Sequence, residues 1–348
     1  MATEDNNIIP EGILLGIGNP LLDILICGDK ALLDEYNLLP NNAILATEEH
    51  RSIYEKMIVK YEPAFLAGGA TQNSIRVAQW LLKHPGTTTF FGAVGDDKYK
   101  DILEETARKV GVNVCYYVHK GMTTGRCGAI ITGEDRSLVT ELGAAQHFNS
   151  EFLEKPQSWS LVEKAKYFYI GGFFIPVSIE SILKLVKHAV ATNKTVIMNL
   201  HAIYLCKYYA DPELNLLQYV DILFGNGDEA AEFSKLKGFP TKDIKEMARL
   251  TAQLPKLNTS RKRIVVFTQG RSPTIVAHDG KVTEVLVVPV EPKLIKDTNG
   301  CGDAFVGGFL SQLVQGKPLS ECLRCGSYAS RVVIQHFGCN FPPEPDFK

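Results

Sequence analysis

Short hydrophobic runs alternate with helix-period segments through the second half of the chain. Strands are predicted at 167–170, 195–199, 221–224 and 263–268, and helices at 178–192, 229–237 and 243–254. Continuous apolar runs are typical of strands buried on both faces, as in parallel sheets covered by helices. The alternation therefore predicts an α/β fold whose mostly parallel sheet is flanked by helices on both faces, with right-handed crossovers.

The first half of the chain contains a second pattern. The same alternation predicts strands at 13–17 and 88–94 and helices at 71–83 and 98–110. The segment 20–66 fits it poorly, with one apolar run at 21–26 and one helix-period stretch at 52–61. Three further strand patterns, at 114–118, 125–132 and 137–140, follow one another without a helix, and Glu134 and Asp135 mark a turn between the last two.

These two irregular segments predict a small α/β lid over the carboxyl edge of the main sheet. We expect residues 1–348 to form one unit, in which the lid comprises approximately 20–66 and 114–141. The large domain then comprises approximately 1–19, 67–113 and 142–348.

The stretch 297–305 reads D-T-N-G-C-G-D-A-F and follows a strand-like run at 285–290. It opens an apolar helix pattern, so Gly300, Cys301 and Gly302 place free backbone N–H groups at the positive end of a helix dipole. Such a turn is typical of anion sites, and the dipole is also expected to favour the thiolate of Cys301. Asp303 can cap this helix or act as a base; the residues alone leave both roles open.

Composition excludes several classes of protein. The 348 residues carry a net charge of −2 and are 45% hydrophobic, which favours neither nucleic acid nor an anionic membrane as partner. No apolar run has the length of a membrane span. The N-terminal M-A-T-E-D-N-N lacks a signal-peptide pattern, and eight cysteines suit free thiols in a reducing compartment. We therefore expect a cytoplasmic protein, with the nucleus left open.

Common catalytic motifs are missing from the sequence. Gly16 and Gly18 form only half of a dinucleotide fingerprint, and no Walker A motif, protein-kinase catalytic loop or nucleophile elbow is present. The pair Cys322 and Cys325 lies in a helix pattern rather than in a zinc finger. His201, like the other scattered histidines, is expected to be structural.

Four motifs resemble those of the ribokinase-like carbohydrate kinases, the PfkB family. D-T-N-G-C-G-D at 297–303 is similar to the family's anion-hole motif D-T-x-G-A-G-D, with Cys301 in place of the usual Ala. A-G-G-A-T-Q-N-S-I-R-V-A at 67–78 resembles the N-terminal signature. N-G-D-E at 226–229 matches the N-x-x-E element, and T-Q-G at 268–270 matches the strand-end turn beside the nucleotide.

Within the family the similarity is strongest to members that phosphorylate adenosine. It is carried by G-N-P-L-L-D at 18–23, D-R-S-L at 135–138 and G-G-F-F at 171–174, and it extends from about residue 13 to the C-terminus. The resemblance implies a ribokinase-like fold and transfer of the γ-phosphoryl of ATP, with Mg²⁺, to the 5′-hydroxyl of adenosine in purine salvage. It also implies a monomer whose partners are these two small molecules.

The resemblance assigns roles to individual residues. Asp303 would be the general base, and Arg136 would descend from the lid onto the phosphoryl group held by Gly300, Cys301 and Gly302. The residues implied to bind adenosine are Asn19, Asp23, Gly68, Gly69, Asn73, Cys127, Leu138, Phe174 and Asn299. Those implied to bind ATP are Asn226, Thr268, Gly270 and Asn299, and Asn226 and Glu229 would hold Mg²⁺ through water.

Each role has a structural alternative. Without the resemblance, Asp23 is an outward acid on an edge strand, Phe174 is a core residue, and Arg136 is a solvated arginine on a hairpin. Asn73 and the pair Asn226 and Glu229 are then ordinary polar residues at helix starts. Two alternative functions also stay open: a kinase of the same fold acting on a sugar or another nucleoside, and a non-catalytic nucleoside-binding protein.

Overall fold

Two β-sheets organise residues 9–40, 42–133 and 135–348, the part of the chain that the computed structural model describes. The expectations about the N-terminal leader and about Glu134 lie outside these residues. The strands are β1 (Leu14–Ile17), β2 (Leu21–Cys27), β3 (Ala43–Leu45), β4 (Ala64–Gly68), β5 (Thr88–Gly95), β6 (Asn113–His119), β7 (Arg126–Thr132), β8 (Asp135–Glu141), β9 (Tyr167–Gly171), β10 (Thr195–Asn199), β11 (Ile222–Asn226), β12 (Ile264–Gln269), β13 (Ser272–His278) and β14 (Lys281–Val285).

Helices connect most of these strands. They are α1 (Lys30–Glu35), α2 (Ile53–Lys60), α3 (Ala70–Leu82), α4 (Lys98–Lys109), α5 (Glu151–Glu154), α6 (Pro156–Lys164), α7 (Ile179–Ala191), α8 (Cys206–Ala210), α9 (Gly227–Leu236), α10 (Ile244–Gln253), α11 (Cys301–Leu313) and α12 (Leu319–Val333). In the described part of the chain, none of them is both long and apolar enough to pass through a membrane.

The larger sheet has nine strands in the order β14-β13-β12-β11-β10-β9-β1-β5-β6. The strands from β12 to β6 run parallel, whereas β13 and β14 form an antiparallel edge. Neighbouring residues of one strand point to opposite faces, so Phe168 packs in the core on one face and Tyr169 in the core on the other. This confirms the prediction of a mostly parallel sheet with helices on both faces.

The antiparallel edge differs from the prediction. The strand-like run at 285–290 is not a strand: β14 ends at Val285, and residues 286–290 have no regular structure. Strand β13, which pairs with β12 and β14, was not predicted. Pro273 interrupts the apolar pattern within β13, and the turn residues Asp279 and Gly280 follow that strand. Val287 and Val288 imitate a strand.

The smaller sheet has five strands in the order β3-β8-β7-β2-β4, and we propose that it forms the lid. Alternate residues of its strands face two different environments. Ile24, Ile130 and Val139 pack with Leu32 of α1 and Met57 of α2 in a separate core. The opposite face carries Asp23, Cys127, Arg136, Leu138 and Thr140, which line a cavity. The residues of this sheet therefore divide into a face that packs in its own core and a face that lines the cavity.

One predicted lid segment belongs to the larger sheet. Strand β6 pairs in parallel with β5, from Thr89 opposite Asn113 to Gly95 opposite His119. Helix α4 forms a crossover between them, which returns the chain to the same sheet in the same direction. The second part of the lid therefore consists of β7 and β8 and does not begin at residue 114. The smaller sheet is mixed, since β2 runs parallel to β7 and antiparallel to β4.

Candidate active site

The first turn of α11 lies between two cavities. The first, which we call the lid cavity, measures about 690 Å³ and lies under β2, β7 and β8, with Gly300 and Asp303 in its wall. The second, the hairpin cavity, measures about 540 Å³ and is lined by Thr268 and Gly270 beside β12 and by Cys301 and Gly302. The helix start therefore separates two spaces, each of a size suited to a small molecule.

Helix α11 begins as an anion site requires. Gly300 is its N-cap with φ of 76°, and no side chain caps the first amides. A residue with a Cβ is strained at this φ, and the Cβ would also lie 3.0 Å from the Cβ of Cys339. The first helical N–H groups have no intrahelical acceptors. They are therefore available to an anion placed between the cavities.

Asp303 is not the cap of α11. One of its oxygens, Oδ2, accepts a hydrogen bond of 3.0 Å from Nδ2 of Asn73 in α3, and its carboxyl borders the lid cavity. Burial raises its pKa to about 7, helped by the charges of Asp23 and Glu229 and opposed by the Asn73 hydrogen bond. A carboxyl with a pKa near neutrality suits a general base.

The side-chain amide oxygens of Asn19 and Asn73 have no hydrogen-bond partner among the described residues. Both side chains are buried and border the lid cavity. The Nδ2 of Asn19 donates to the carbonyl of Phe173 at 3.0 Å, which fixes the orientation of the amide. Buried polar atoms are nearly always paired, so these two oxygens are available to accept hydrogen bonds from a molecule in the cavity.

Asp23 is the third polar group of this wall. It lies on β2 opposite Leu66 of β4, and burial raises the pKa of its carboxyl to about 7, although the nearby charge of Arg136 lowers it. A Cβ on Gly68 would lie 2.6 Å from Oδ1 of Asp23. Gly68 therefore makes room for this carboxyl and does not itself border the cavity. The alternative of a solvated acid on an edge strand is wrong, since β2 lies between β4 and β7.

Gly69 supports the same wall through its backbone. It is the N-cap of α3 with φ of 88°, and a Cβ there would lie 2.2 Å from the carbonyl oxygen of Asn19. Only glycine permits that close approach without displacing the backbone. The glycine pair thus brings the β1–β2 connection, with Asn19, against the start of α3, with Asn73.

Arg136 contributes the positive charge on the lid side. Its Nη1 donates to Oδ2 of Asp297, whose side chain is buried, and Arg136 itself is half-buried. The alternative of a solvated hairpin arginine is therefore wrong. Asp297, to which the motif resemblance assigned no role, also accepts backbone N–H groups from Asn299 and Gly338 at 2.9 and 2.7 Å.

The aromatic wall of the lid cavity is formed by Phe173, not by Phe174. Phe174 is completely buried in the main core against Phe148, with ring centroids 5.2 Å apart. Phe173 borders the cavity and stacks on His201 at 5.0 Å with an interplanar angle of 17°. The short helical turn at Gly172–Phe174 determines which of the two rings faces the cavity.

His201 is structural and also borders the lid cavity. Its Nδ1 accepts the N–H of Gly172 at 2.9 Å, so its Nε2 carries the proton that it donates to the hydroxyl of Tyr169 at 3.2 Å. Burial lowers its pKa to about 3, which keeps the ring neutral. The sequence contains one signal for its place: it follows β10 at the carboxyl edge of a parallel sheet, where ligands bind.

The surroundings of Cys301 work against the thiolate that the sequence predicts. Burial raises the pKa of its thiol to about 12, and the charges of Asp297 and Asp303 act in the same direction. Burial and the two neighbouring carboxyls therefore oppose the thiolate form that the helix dipole favours. Cys301 contributes its backbone and a small side chain to the turn.

The remaining assigned residues divide between the cavities and the rim. Cys127, Leu138 and Asn299 border the lid cavity, so Asn299 lies on the side opposite the hairpin cavity. Asn226 and Glu229 border neither cavity and form a capping box on α9: Glu229 Oε1 and Oε2 accept from Nδ2 and N of Asn226 at 2.8 and 2.9 Å. Asn226 is nevertheless the register partner of Thr268.

The pfkB family carbohydrate kinases share the pattern of this chain. The sequence profile of that family matches residues 32–346. The chain belongs to this family.

Two proteins that are similar to this chain over nearly its whole length are adenosine kinases. Adenosine kinase 1 of Arabidopsis thaliana is 49% identical over 337 residues, covering 97% of this chain and 98% of that protein. Adenosine kinase of Schizosaccharomyces pombe is 40% identical over 338 residues, covering 96% of this chain and 98% of that protein.

A solved structure agrees in fold. Adenosine kinase of Anopheles gambiae, in complex with P1,P4-di(adenosine-5) tetraphosphate, superposes with a TM-score of 0.92 at 45% identity, covering 97% of this chain and 100% of that chain. This confirms the ribokinase-like class of fold.

Proposed function

We propose that the chain is an ATP-dependent nucleoside kinase that transfers the γ-phosphoryl of ATP to the 5′-hydroxyl of adenosine, giving AMP and ADP. The observation that carries the proposal is the start of α11 between two cavities, with Asp303 on one side and Cys301 and Gly302 on the other. Adenosine occupies the lid cavity, and ATP occupies the hairpin cavity with its phosphate chain towards the helix start.

Asp303 accepts the proton of the 5′-hydroxyl as the oxygen attacks the γ-phosphorus. The new bond joins this oxygen to phosphorus, and the bond to the bridging oxygen of ADP breaks. The free amides at Gly300, Cys301 and Gly302 stabilise the charge on the transferring group. Arg136, whose guanidinium also borders the lid cavity, adds a positive charge on the opposite side.

The polar wall suits a ribose. Asp23 and the free amide oxygens of Asn19 and Asn73 are acceptors, and vicinal hydroxyls are donors that can satisfy them. Phe173 and Leu138 offer apolar faces to the base. One solved relative, adenosine kinase of Schistosoma mansoni in complex with adenosine and AMP, is 32% identical and superposes with a TM-score of 0.87.

Mg²⁺ is proposed to accompany ATP. The described residues contain no group of three or more His, Cys, Asp or Glu side chains that could hold a metal ion directly. Mg²⁺ often retains several waters, so the rim residues Asn226 and Glu229 fit a metal held through water. The ion would neutralise part of the phosphate charge.

The proposed enzyme is a cytoplasmic monomer. The apolar face of the lid sheet, opposite the lid cavity, packs against its own helices α1 and α2, so a second copy is not needed to bury it. All eight cysteines are free thiols, as in a reducing compartment.

A release assay for ADP tests the function. Purified protein with ATP and Mg²⁺ is offered adenosine, guanosine, inosine, ribose and fructose, and adenosine is expected to give the highest kcat/KM. Preference for a sugar or another nucleoside would favour a different kinase of this fold. Binding of adenosine without ADP release from any acceptor would favour a non-catalytic binding protein.

Asp303→Asn tests the mechanism. The amide keeps the shape of the side chain but cannot accept the proton, and loss of a positioned base costs about 10²–10⁴-fold in rate. We expect kcat to fall by this factor while adenosine binding, measured by calorimetry, is retained. Turnover within a few-fold of wild type would show that Asp303 is not the base.

A further inference from the structure

An ion pair joins the lid to the anion-binding turn. Arg136 of β8 donates to Oδ2 of Asp297, and the two side chains are only 14% and 3% exposed. Asp297 lies outside the smaller sheet, in the segment that leads into α11. Removal of one charge from a buried pair leaves the other uncompensated, so the two segments depend on each other electrostatically.

Asp297 also organises the turn itself. Its Oδ1 accepts the N–H of Asn299 at 2.9 Å, and the Oδ2 that binds Arg136 also accepts the N–H of Gly338 at 2.7 Å. One carboxylate thus connects a lid strand, the turn before α11 and the C-terminal segment. Because Gly300 follows Asn299 directly, this carboxylate fixes Arg136 relative to the first amides of the helix.

The position of Arg136 relates the pair to the reaction centre. Arg136 borders the lid cavity together with Gly300 and Asp303, on the side from which a hydroxyl would attack. A guanidinium has five N–H donors in a planar fork. It can therefore bind Asp297 through one nitrogen and present another to a phosphoryl oxygen.

We propose that Asp297 is the positioning residue for Arg136: it directs the guanidinium at the transferring phosphoryl group and acts on the reaction only through it. The proposal rests on the kinase function proposed above.

A double-mutant cycle on kcat tests this role with Arg136→Gln, Asp297→Asn and the double variant. The amide of Asp297→Asn is isosteric and keeps an acceptor for the backbone, but it removes the charge that holds the guanidinium. Each single substitution is expected to lower kcat by about 10²-fold, the effect of losing one donor to the transition state. The double variant should be no slower than Arg136→Gln, with the KM for adenosine within a few-fold throughout.

The coupling free energy from this cycle distinguishes a positioning residue from one that only supports the fold. Substitutions at independent sites change the activation free energy additively. If the two losses multiply in the double variant, Asp297 acts separately from Arg136 and the proposal fails. If Asp297→Asn does not fold, as judged by its thermal unfolding, Asp297→Glu replaces it in the same cycle. That variant keeps the charge with a displaced carboxylate, and the same lack of additivity is required.

Glu141→Gln is the matched control. It breaks the pair between Arg126 and Glu141, 2.8 Å apart within the lid sheet, and kcat should remain within a few-fold of wild type. A loss equal to that of Asp297→Asn would attribute both effects to a loosened lid and overturn the proposal. Failure of the kinase function itself is distinguishable, because wild-type protein would then release no ADP with adenosine.

Discussion

Asp303 shows how the surroundings of one side chain select its chemistry. The carboxyl is largely shielded from solvent, faces the charges of Asp23 and Glu229, and receives one hydrogen bond from Asn73. The first two influences favour the protonated form, and the hydrogen bond favours the charged form. The resulting pKa of about 7 allows the group to exchange a proton near neutral pH.

The acid limb of the pH profile should follow these neighbours. Asp303 must be deprotonated to accept a proton, so kcat/KM for adenosine should rise as pH increases through about 7. Asp23→Asn removes a negative neighbour and should move this limb to lower pH. Asn73→Ala removes the donor that stabilises the charged form and should move it to higher pH.

The two opposite shifts are measured from kcat/KM between pH 5 and 9 at saturating ATP. Asp101→Asn, an exposed acid on α4, is the control and should leave the limb in place. Shifts of the same sign in both variants would mean that Asp303 does not determine the limb.

The residues that line the cavity were predictable where a sequence motif contains them. The prediction failed where an offset of one residue decides which side chain faces the cavity. The motif at 297–303 located Asp303 and its amides, and the glycine pair located Asn73. G-G-F-F could not show which Phe faces the cavity, because a short helical turn rotates Phe173 outward and Phe174 into the core. Asp297 was missed because its role depends on Arg136, 161 positions away in the chain.

At the scale of elements, the lid sheet is the part that we expect to move. It is joined to the main sheet by short connections and has its own core with α1 and α2. Its inner face lines the cavity that adenosine would occupy. Binding at that face should stabilise strand pairing in the lid by mass action.

Hydrogen exchange tests this expectation. Addition of adenosine should slow amide exchange in β2, β7 and β8, because the ligand binds their inner face and excludes water. Helix α10, which borders neither cavity, is the internal control and should be unaffected. Protection restricted to the first turn of α11 would contradict closure of the lid.

Most helices and strands were predictable from the sequence. The sheet to which a strand belongs was not always predictable. Strand β6 has the same alternating pattern as the lid strands that follow it, and only its pairing with β5 assigns it to the main sheet. Strand β13 was missed because Pro273 interrupts its apolar pattern. Sheet membership is decided by contacts between distant segments, which a local pattern does not contain.

For the whole molecule, three carboxyls with raised pKa values should make stability depend on pH. The pKa values of Asp23, Glu229 and Asp303 are all raised to about 7 by burial. Because the folded pKa exceeds the ordinary value, the folded state binds more protons than the unfolded state. These groups therefore contribute most stability below about pH 4, and that contribution is lost as pH rises through about 7.

Glu229→Gln isolates one of these contributions. The amide retains a capping acceptor but cannot ionise, so the variant should gain stability relative to wild type as pH rises from 6 to 8. The expected gain is about 1 kcal/mol, measured as the change in free energy of urea unfolding between the two pH values. Equal pH dependence in the two proteins would show that the Glu229 pKa is not raised.

The class of the fold followed from the rhythm of strands and helices, since a buried parallel sheet needs helical crossovers. Strand order did not follow from that rhythm. Strand β1 pairs with β5 and β9, and the chain builds the two halves of the sheet outward from it in opposite directions. That reversal places the carboxyl ends of β1 and β9, and hence Asn19 and Phe173, beside each other.

The central position of the earliest strands has a consequence for protein synthesis. Strand β1 needs β9, which ends at Gly171, and β2 needs β7, which ends at Thr132. At about 5–20 residues per second, a ribosome supplies β9 roughly 10–30 s after β1. During that interval the nascent chain carries apolar strands with unpaired edges, which are templates for aggregation. The protein is therefore most vulnerable to misassembly while it is still being translated.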